Sequence, residues 1–208
     1  MPRSADSTRQ RILSAAAKLF YGEGIRGVSV DAVAAKAGTL YYHFKSKDDL
    51  VAACLKARDQ PNLALFTRWF SETEGATATK VQGLFNNLAR SARHPKWKGC
   101  GFLRTSAELA NMPGHPAMKV GAAHKKKVED WLRITLEAEG TESASVLARQ
   151  LMLLLDGSFA VVLLHRDPSY MEAAGEAAFS LIEATLGGRW AARPARRTSK
   201  PEHLPVRR

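Results

Sequence analysis

The residue with the most obvious capacity for chemistry is Cys100, which stands between two glycines. A cysteine paired with a histidine can act as a nucleophile, and an activated cysteine can sense oxidants or electrophiles. No pattern in the sequence pairs Cys100 with a histidine, so a small packing or helix-capping residue is the simpler interpretation. We therefore predict that the chain is not an enzyme and that it has no catalytic residue, cofactor or metal ion.

Basic charge is the second chemical feature, and it lies at the two ends of the chain. Of the formal net charge of +11, residues 1–60 contribute +4, residues 61–187 contribute +1 and residues 188–208 contribute +6. A basic terminal unit is typical of a protein that binds phosphates, although a generally basic surface would look the same. We expect the Arg- and Pro-rich residues 188–208 to be disordered and to add phosphate contacts without sequence preference.

The elements that position these residues are predicted to be helices throughout. Apolar residues recur at helical spacing, capping boxes begin at Ser7 and Ser46, a third short helix contains Leu40 to Phe44, and Pro61 should kink or break the fourth helix. No segment alternates long enough to predict a strand, so we expect an all-α fold of about nine helices. The later helices are predicted at 63–73, 78–93, 101–111, 117–139, 143–166 and 170–186.

Neither the N-terminus nor the most apolar run of the chain predicts a membrane protein. The N-terminus lacks the apolar stretch of a signal peptide. The run from Leu151 to Leu164 is interrupted at residues 156–158 and is short for a bilayer, so it reads as a buried helix. We expect a cytoplasmic protein without a membrane partner.

The first sixty residues resemble the TetR family of transcriptional regulators. The matching elements are residues 11–13 (RIL), 16–20 (AAKLF), 27–30 (GVSV), 37–38 (AG) and 39–50 (TLYYHFKSKDDL), together with Gly24 and Ala34. The resemblance implies a three-helix helix-turn-helix DNA-binding domain at residues 1–55, a larger effector-binding and dimerisation domain at 56–187, and the basic tail at 188–208.

The resemblance also implies which residues meet DNA. A helix-turn-helix places its second helix in the major groove. Lys47 would meet a phosphate, and Ser29 would cap a helix whose N-terminus faces the DNA backbone. Leu40 and Phe44 are expected in the core, and one of two adjacent tyrosines is expected to serve mainly in packing. The candidate DNA-binding residues are Ser29, Thr39, Tyr41, Tyr42, His43 and Lys47.

The sequence departs from the family between Gly38 and Thr39, which follow each other directly. Family members normally carry a turn and further polar residues here, and a helix-turn-helix needs roughly three to four residues of turn. Two explanations stay open: a true deletion that impairs the DNA reader, or residues of the protein that the 208-residue sequence omits. The intact flanking motif favours omission.

The second domain resembles a subset of TetR-type C-terminal domains, which bind a small molecule and dimerise through their last two helices. The penultimate helix agrees with this architecture. It carries apolar residues nearly all around its circumference, so it must pack against other helices on every side. The predicted dimer interface is Leu151, Leu154, Leu155, Phe159, Val162, Ala178, Leu181 and Ile182. The candidate effector-binding residues are Phe66, Trp97, Cys100, Phe102, Met112, His115, Met118, Trp131, Met152 and Phe159.

These observations together predict a homodimeric, ligand-responsive transcriptional regulator that binds a palindromic operator in double-stranded DNA. A repressor released by an unknown small-molecule effector is the favoured form. The alternative is a TetR-like protein that binds a small molecule or a partner but reads DNA poorly, which applies if the gap after Gly38 is real.

Overall fold

The computed structural model describes residues 5–37 and 40–187, and regular structure in this part of the chain is helical. Gly38, Thr39 and residues 188–208 lie outside the described residues, so the predictions made for them stay predictions. The described part contains no strand, which confirms the all-α prediction. Its eight helices are α1 (Ala5–Glu23), α2 (Val30–Ala37), α3 (Lys47–Glu72), α4 (Thr77–Ala92), α5 (Gly101–Glu108), α6 (Pro116–Glu137), α7 (Ala144–His165) and α8 (Ser169–Leu186).

A small hydrophobic core is enclosed by α1, α2, the segment 40–44 and the start of α3. On α1 the buried residues recur at helical spacing, so one face of the helix carries the apolar side chains. We call this part of the chain the N-terminal unit, residues 5–55. Its core residues are Ile12, Leu13, Ala16, Leu19, Val28, Val33, Leu40, Phe44, Leu50 and Cys54.

Two helices of the N-terminal unit begin at a capping serine. The Oγ of Ser29 accepts a hydrogen bond from the backbone N–H of Ala32 at 3.0 Å, and the Oγ of Ser46 accepts one from Asp49 at 3.1 Å. Both caps were predicted, and each satisfies an N–H that the helix itself leaves unpaired. The capping box at Ser7 is wrong, because α1 begins two residues earlier and includes Ser7.

The predicted third helix is a single turn in the structure. The carbonyl of Leu40 accepts hydrogen bonds from the N–H groups of His43 at 2.9 Å and Phe44 at 3.1 Å. One turn suffices to bury Leu40 and Phe44 together in the small core, as predicted for both. The chain then passes directly to the Ser46 cap of α3, so the prediction of a helix here is wrong.

Helix α3 continues through Pro61, where a kink or a break was predicted, so there is no break. Its 26 residues unite the predicted fourth helix with the predicted helix at 63–73. Proline removes one backbone donor and clashes with the preceding turn. The side chain of Pro61 is exposed, and α3 packs against α1, α4 and α6.

The larger core lies among α3, α4, α6, α7 and α8. Helices α4 and α8 approach closely at Gly175, where an added Cβ would lie 2.9 Å from the Cβ of Phe85. Helix α7 is the one described helix long and apolar enough to cross a membrane. It packs against α6 and α8 and buries Leu147, Leu151 and Leu155 in the larger core, as a core helix does.

Two buried histidines at the start of α6 and within it contact carboxylates of α3. His115 caps α6 through Nδ1, and its Nε2 lies 3.2 Å from Asp48 in the first turn of α3. His124 bonds Asp59 at 2.8 Å, and its ring stacks on Phe102 with centroids 3.7 Å apart.

The lysines of α6 belong to the same network. The lysines at residues 125–127 form ion pairs with acids on α3, α6 and α7, and the side chains of Lys126 and Lys127 remain at least half exposed. The pairs are Lys125–Asp156, Lys126–Glu129 and Lys127–Asp59. Burial raises the pKa of Asp59, but the hydrogen bonds and charges of Lys127 and His124 together hold it below its usual value.

Burial also sets the protonation of His124. It lowers the pKa of the imidazole below its usual value of 6.5, helped by the charges of Lys125 and Lys127 and opposed by Asp59. The folded chain therefore binds this proton less readily than the unfolded chain does. The stability from neutral His124 is complete above about pH 6.5 and declines as the pH falls below it.

We predict that His124→Asn reduces this loss of stability in acid. Urea unfolding at pH 7.5 and pH 5.5 should show a smaller drop in the variant than in the wild type. His94→Asn, which changes an exposed histidine, should leave the drop unchanged. Equal drops in the wild type and the His124 variant would contradict this assignment.

Candidate nucleic-acid interface and effector cavity

The candidate DNA-binding residues lie around the two capped helix starts of the N-terminal unit. Ser29 caps α2, and Lys47 is the first residue of α3. Between the two helices, the side chains of Tyr41 and Tyr42 are 67% and 81% exposed. Helix N-termini favour phosphate, and exposed phenols can donate to phosphates or base edges.

Both tyrosines are available for contact, so the prediction that one of them mainly packs is wrong. Neither belongs to the small core, whose apolar side chains here are Leu40 and Phe44. The ring of Tyr42 meets the half-buried ring of His43 edge to face, with centroids 5.1 Å apart. This contact holds the imidazole of His43 beside the phenol ring of Tyr42. Thr39, the remaining candidate, lies outside the described residues.

A small apolar cavity lies inside the larger core. Two predicted effector-binding residues, Phe66 of α3 and Trp131 of α6, line it. The sequence could not identify the other lining residues, because they share only the apolar character of every core position. These are Val81, Leu84, Phe85, Val128, Leu132, Leu151 and Leu155.

The other predicted effector residues lie outside this cavity. The rings of Trp97 and Phe159 stack at 6.4 Å, Phe102 stacks on His124, and Met152 borders a surface groove between α6 and α7. His115 is occupied as a helix cap, Met118 is half-buried, and Met112 is exposed. The structure therefore brings two of the ten candidates together around this cavity.

The two cysteines have different surroundings. Burial raises the pKa of the Cys54 thiol to about 12, although Arg58 and Arg9 act to lower it, so this thiol stays protonated. Cys100 is buried at the start of α5, where the Nζ of Lys125 lies 3.7 Å from its sulfur and also pairs with Asp156. The packing interpretation of Cys100 agrees with this burial.

Most of the residues predicted at a dimer interface face the interior of their own chain. Leu151 and Leu155 line the cavity, and only Leu154 and Leu181 of the set are partly exposed. The prediction took apolar character on all sides of α7 as evidence for contact with a partner, but α6 and α8 already cover much of it. The fully buried members are Leu151, Leu155, Phe159, Val162, Ala178 and Ile182.

Comparison with known proteins identifies a family match within the N-terminal unit. The family model of bacterial regulatory proteins of the tetR family matches residues 12–54. The chain is similar to the HTH-type transcriptional regulator SrpR of Pseudomonas putida, with 38% identity over 61 residues that cover 27% of this chain and 29% of that protein. The match thus spans less than a third of the length of this curated relative.

Two solved structures are similar over nearly their whole length. The TetR-family transcriptional regulator SCO4454 from Streptomyces coelicolor is 30% identical, with 88% of this chain and 96% of that chain covered and a TM-score of 0.71. A putative regulator of the same type (sav143) from Streptomyces avermitilis is also 30% identical, with 82% and 97% covered and a TM-score of 0.68. The chain therefore belongs to the TetR family of transcriptional regulators, with a DNA-binding helix-turn-helix unit at its N-terminus.

Proposed function

We propose that the protein is a ligand-responsive repressor whose effector binds in the apolar cavity of the larger core. The observation that carries this proposal is that one helix borders both sites. Lys47 is the first residue of α3, and Phe66 lines the cavity nineteen residues later on the same helix. At 1.5 Å per residue, the two are about 29 Å apart along the helix axis.

A shift of population between two arrangements explains the regulation. The cavity is lined by apolar side chains, and as it stands it is far smaller than the small-molecule sites of proteins, which are roughly 300 Å³ or more. An apolar effector must therefore favour an arrangement in which α3 has moved away from α6 or α7. Because the N-terminal unit is built on α3, the DNA-binding residues move with it. A coupling of about 1–3 kcal/mol changes operator affinity roughly 5- to 150-fold.

The exposed face of α7 supports a homodimer. Leu153 and Leu164 are 70% and 78% exposed, and Val146, Gly157 and Ala160 lie on the same helical face. A second copy of the chain, related by two-fold symmetry, would cover this apolar stripe. Two-fold dimers are the commonest form of soluble homo-oligomers. These residues replace the buried set in the proposed interface, beside Leu154 and Leu181. Two copies would present two DNA-binding units to a palindromic operator.

The interface assignment predicts that Leu153→Glu separates the subunits. A buried unpaired carboxylate is costly, so sedimentation velocity at micromolar concentration should change from dimer to monomer. Ile134→Glu places the same charge at an exposed apolar residue of α6 and should leave the dimer intact. A dimer that persists in Leu153→Glu would contradict the assignment.

The assignment of Lys47 to a phosphate contact predicts a uniform loss of DNA affinity in Lys47→Ala. Titrations of duplex DNA at several salt concentrations should show weaker binding to every sequence and a salt slope smaller by about 1. Lys56→Ala removes an exposed lysine from the same helix, more than two turns further on, and serves as the control. A changed sequence preference with an unchanged slope would show that Lys47 reads bases.

The cavity assignment predicts that the neutral, apolar fluorophore N-phenyl-1-naphthylamine binds saturably to the wild type. Leu132→Phe fills the cavity and should weaken this binding at least tenfold. Leu88→Phe enlarges a buried residue that does not line the cavity, and it should bind as the wild type does. Melting curves of both variants report folding, and equal binding by a folded Leu132→Phe would contradict the assignment.

One observation favours the alternative function, a ligand-binding protein with an impaired DNA reader. Helix α2 ends at Ala37 and α3 begins at Lys47, so residues 38–46 must supply both the turn and the recognition element. The described part of this segment forms one turn. In this alternative the cavity and the dimer are retained, while DNA binding depends on charge alone.

A further inference from the structure

A second concave site lies where the N-terminal unit meets the larger core. It is a cleft between α1, α3 and α5 that is partly open to solvent. The effector cavity shares no lining residue with the cleft. The cleft is therefore a separate candidate site.

Hydrogen bonds between distant parts of the chain hold the walls of the cleft. The hydroxyl of Tyr21 accepts from the N–H of Lys98 at 2.8 Å, and the carbonyl of Tyr21 accepts from Nη1 of Arg104 at 2.8 Å. On the other side, Oε2 of Glu108 accepts from the backbone N–H of Ile25 at 2.7 Å. These bonds join α1 and the chain after it to α5, so the cleft is present before any ligand arrives.

The charges of the cleft favour an anion. The guanidinium groups of Arg58 and Arg104 both lie over the ring of Tyr21, at 5.4 and 5.6 Å from its centroid. Within the described part of the chain, neither arginine forms an ion pair with an acid. The one carboxylate in the lining, Glu108, already accepts backbone hydrogen bonds.

The remaining lining is largely apolar, and one end of the cleft is open. Phe20, Val51 and Leu55 form much of the wall. At Gly101, the first residue of α5, an added Cβ would meet no atom within 4 Å, so the cleft is open there. No side chain caps α5, which leaves backbone N–H groups near the same end. An apolar body with one negative end matches both parts of this lining.

We propose that this cleft binds a small aromatic carboxylate. Its carboxylate pairs with the guanidinium groups of Arg58 and Arg104, for which planar two-point contacts are favourable. Its ring lies against the apolar wall and extends toward Gly101. A ligand held there touches α1 and α5 at once, so it fixes the N-terminal unit on the larger core. This is a second ligand site, and it goes beyond the effector cavity of the proposed function.

The test is calorimetric titration of the full-length chain with benzoate, and with benzyl alcohol as the uncharged counterpart. We expect saturable binding of benzoate and at least tenfold weaker binding of benzyl alcohol. Arg58→Gln should weaken benzoate binding at least tenfold. Arg58 contributes the ring contact with Tyr21, whereas Arg104 also bonds the backbone, so Arg58 is the safer substitution. Arg68→Gln, at an exposed arginine of the same helix, is its control.

A second pair of variants tests the place of binding. Gly101→Leu fills the open end of the cleft and should abolish benzoate binding, whereas Gly114→Leu, at an exposed glycine with equal space, should not. Leu132→Phe, which fills the effector cavity, should bind benzoate as the wild type does. Equal affinity for benzoate and benzyl alcohol, or full binding by Gly101→Leu, would overturn the proposal. No DNA is present, so this result is independent of the regulatory function.

Discussion

Helix α3 is the constraint on which the rest of the structure depends, because two hydrophobic cores share it. Leu50 and Cys54 belong to the small core, whereas Val51, Leu55 and Phe66 belong to the larger one. Successive residues of one helix thus face different cores, and neither core can shift along α3 without disturbing the other. The capped start of the helix carries Lys47, so the DNA-binding unit follows wherever the larger core sets α3.

The connections around α3 have unequal strength. The buried His124 of α6 hydrogen-bonds Asp59 of α3, and the buried His115 at the start of α6 lies 3.2 Å from the half-exposed Asp48 of α3. On the other side of the N-terminal unit, α1 meets α5 across an open cleft, held by Tyr21, Arg104 and Glu108. Buried, hydrogen-bonded pairs resist separation, whereas an open cleft tolerates it at lower cost. We therefore expect the α1–α5 contact to separate more readily than the contact between His124 and Asp59.

Local features of the fold were predictable from the sequence, and features that depend on distant partners were not. The caps at Ser29 and Ser46 and the burial of Leu40 and Phe44 rest on short spacings, and the structure has them. Pro61 was expected to kink or break a helix, but α3 continues through it, because the packing of a long helix against several others can outweigh one lost backbone bond.

The candidate sites show the same division. Apolar character on all sides of α7 did not reveal which face α6 and α8 cover, so the predicted dimer residues were mostly core residues. The cleft between α1 and α5 was missed because Tyr21 and Arg104 are far apart in the sequence. No local pattern signals that they meet.

The most direct test of the central claim is the ratio of two DNA affinities. Genomic fragments retained by the full-length protein are selected, and binding to the best fragment is compared with binding to an unrelated duplex of equal length at one fixed salt concentration. A sequence-reading TetR-family regulator should prefer its operator by at least about 10³-fold. Equal affinity for all duplexes would contradict the account and leave a ligand-binding protein without a functional DNA reader.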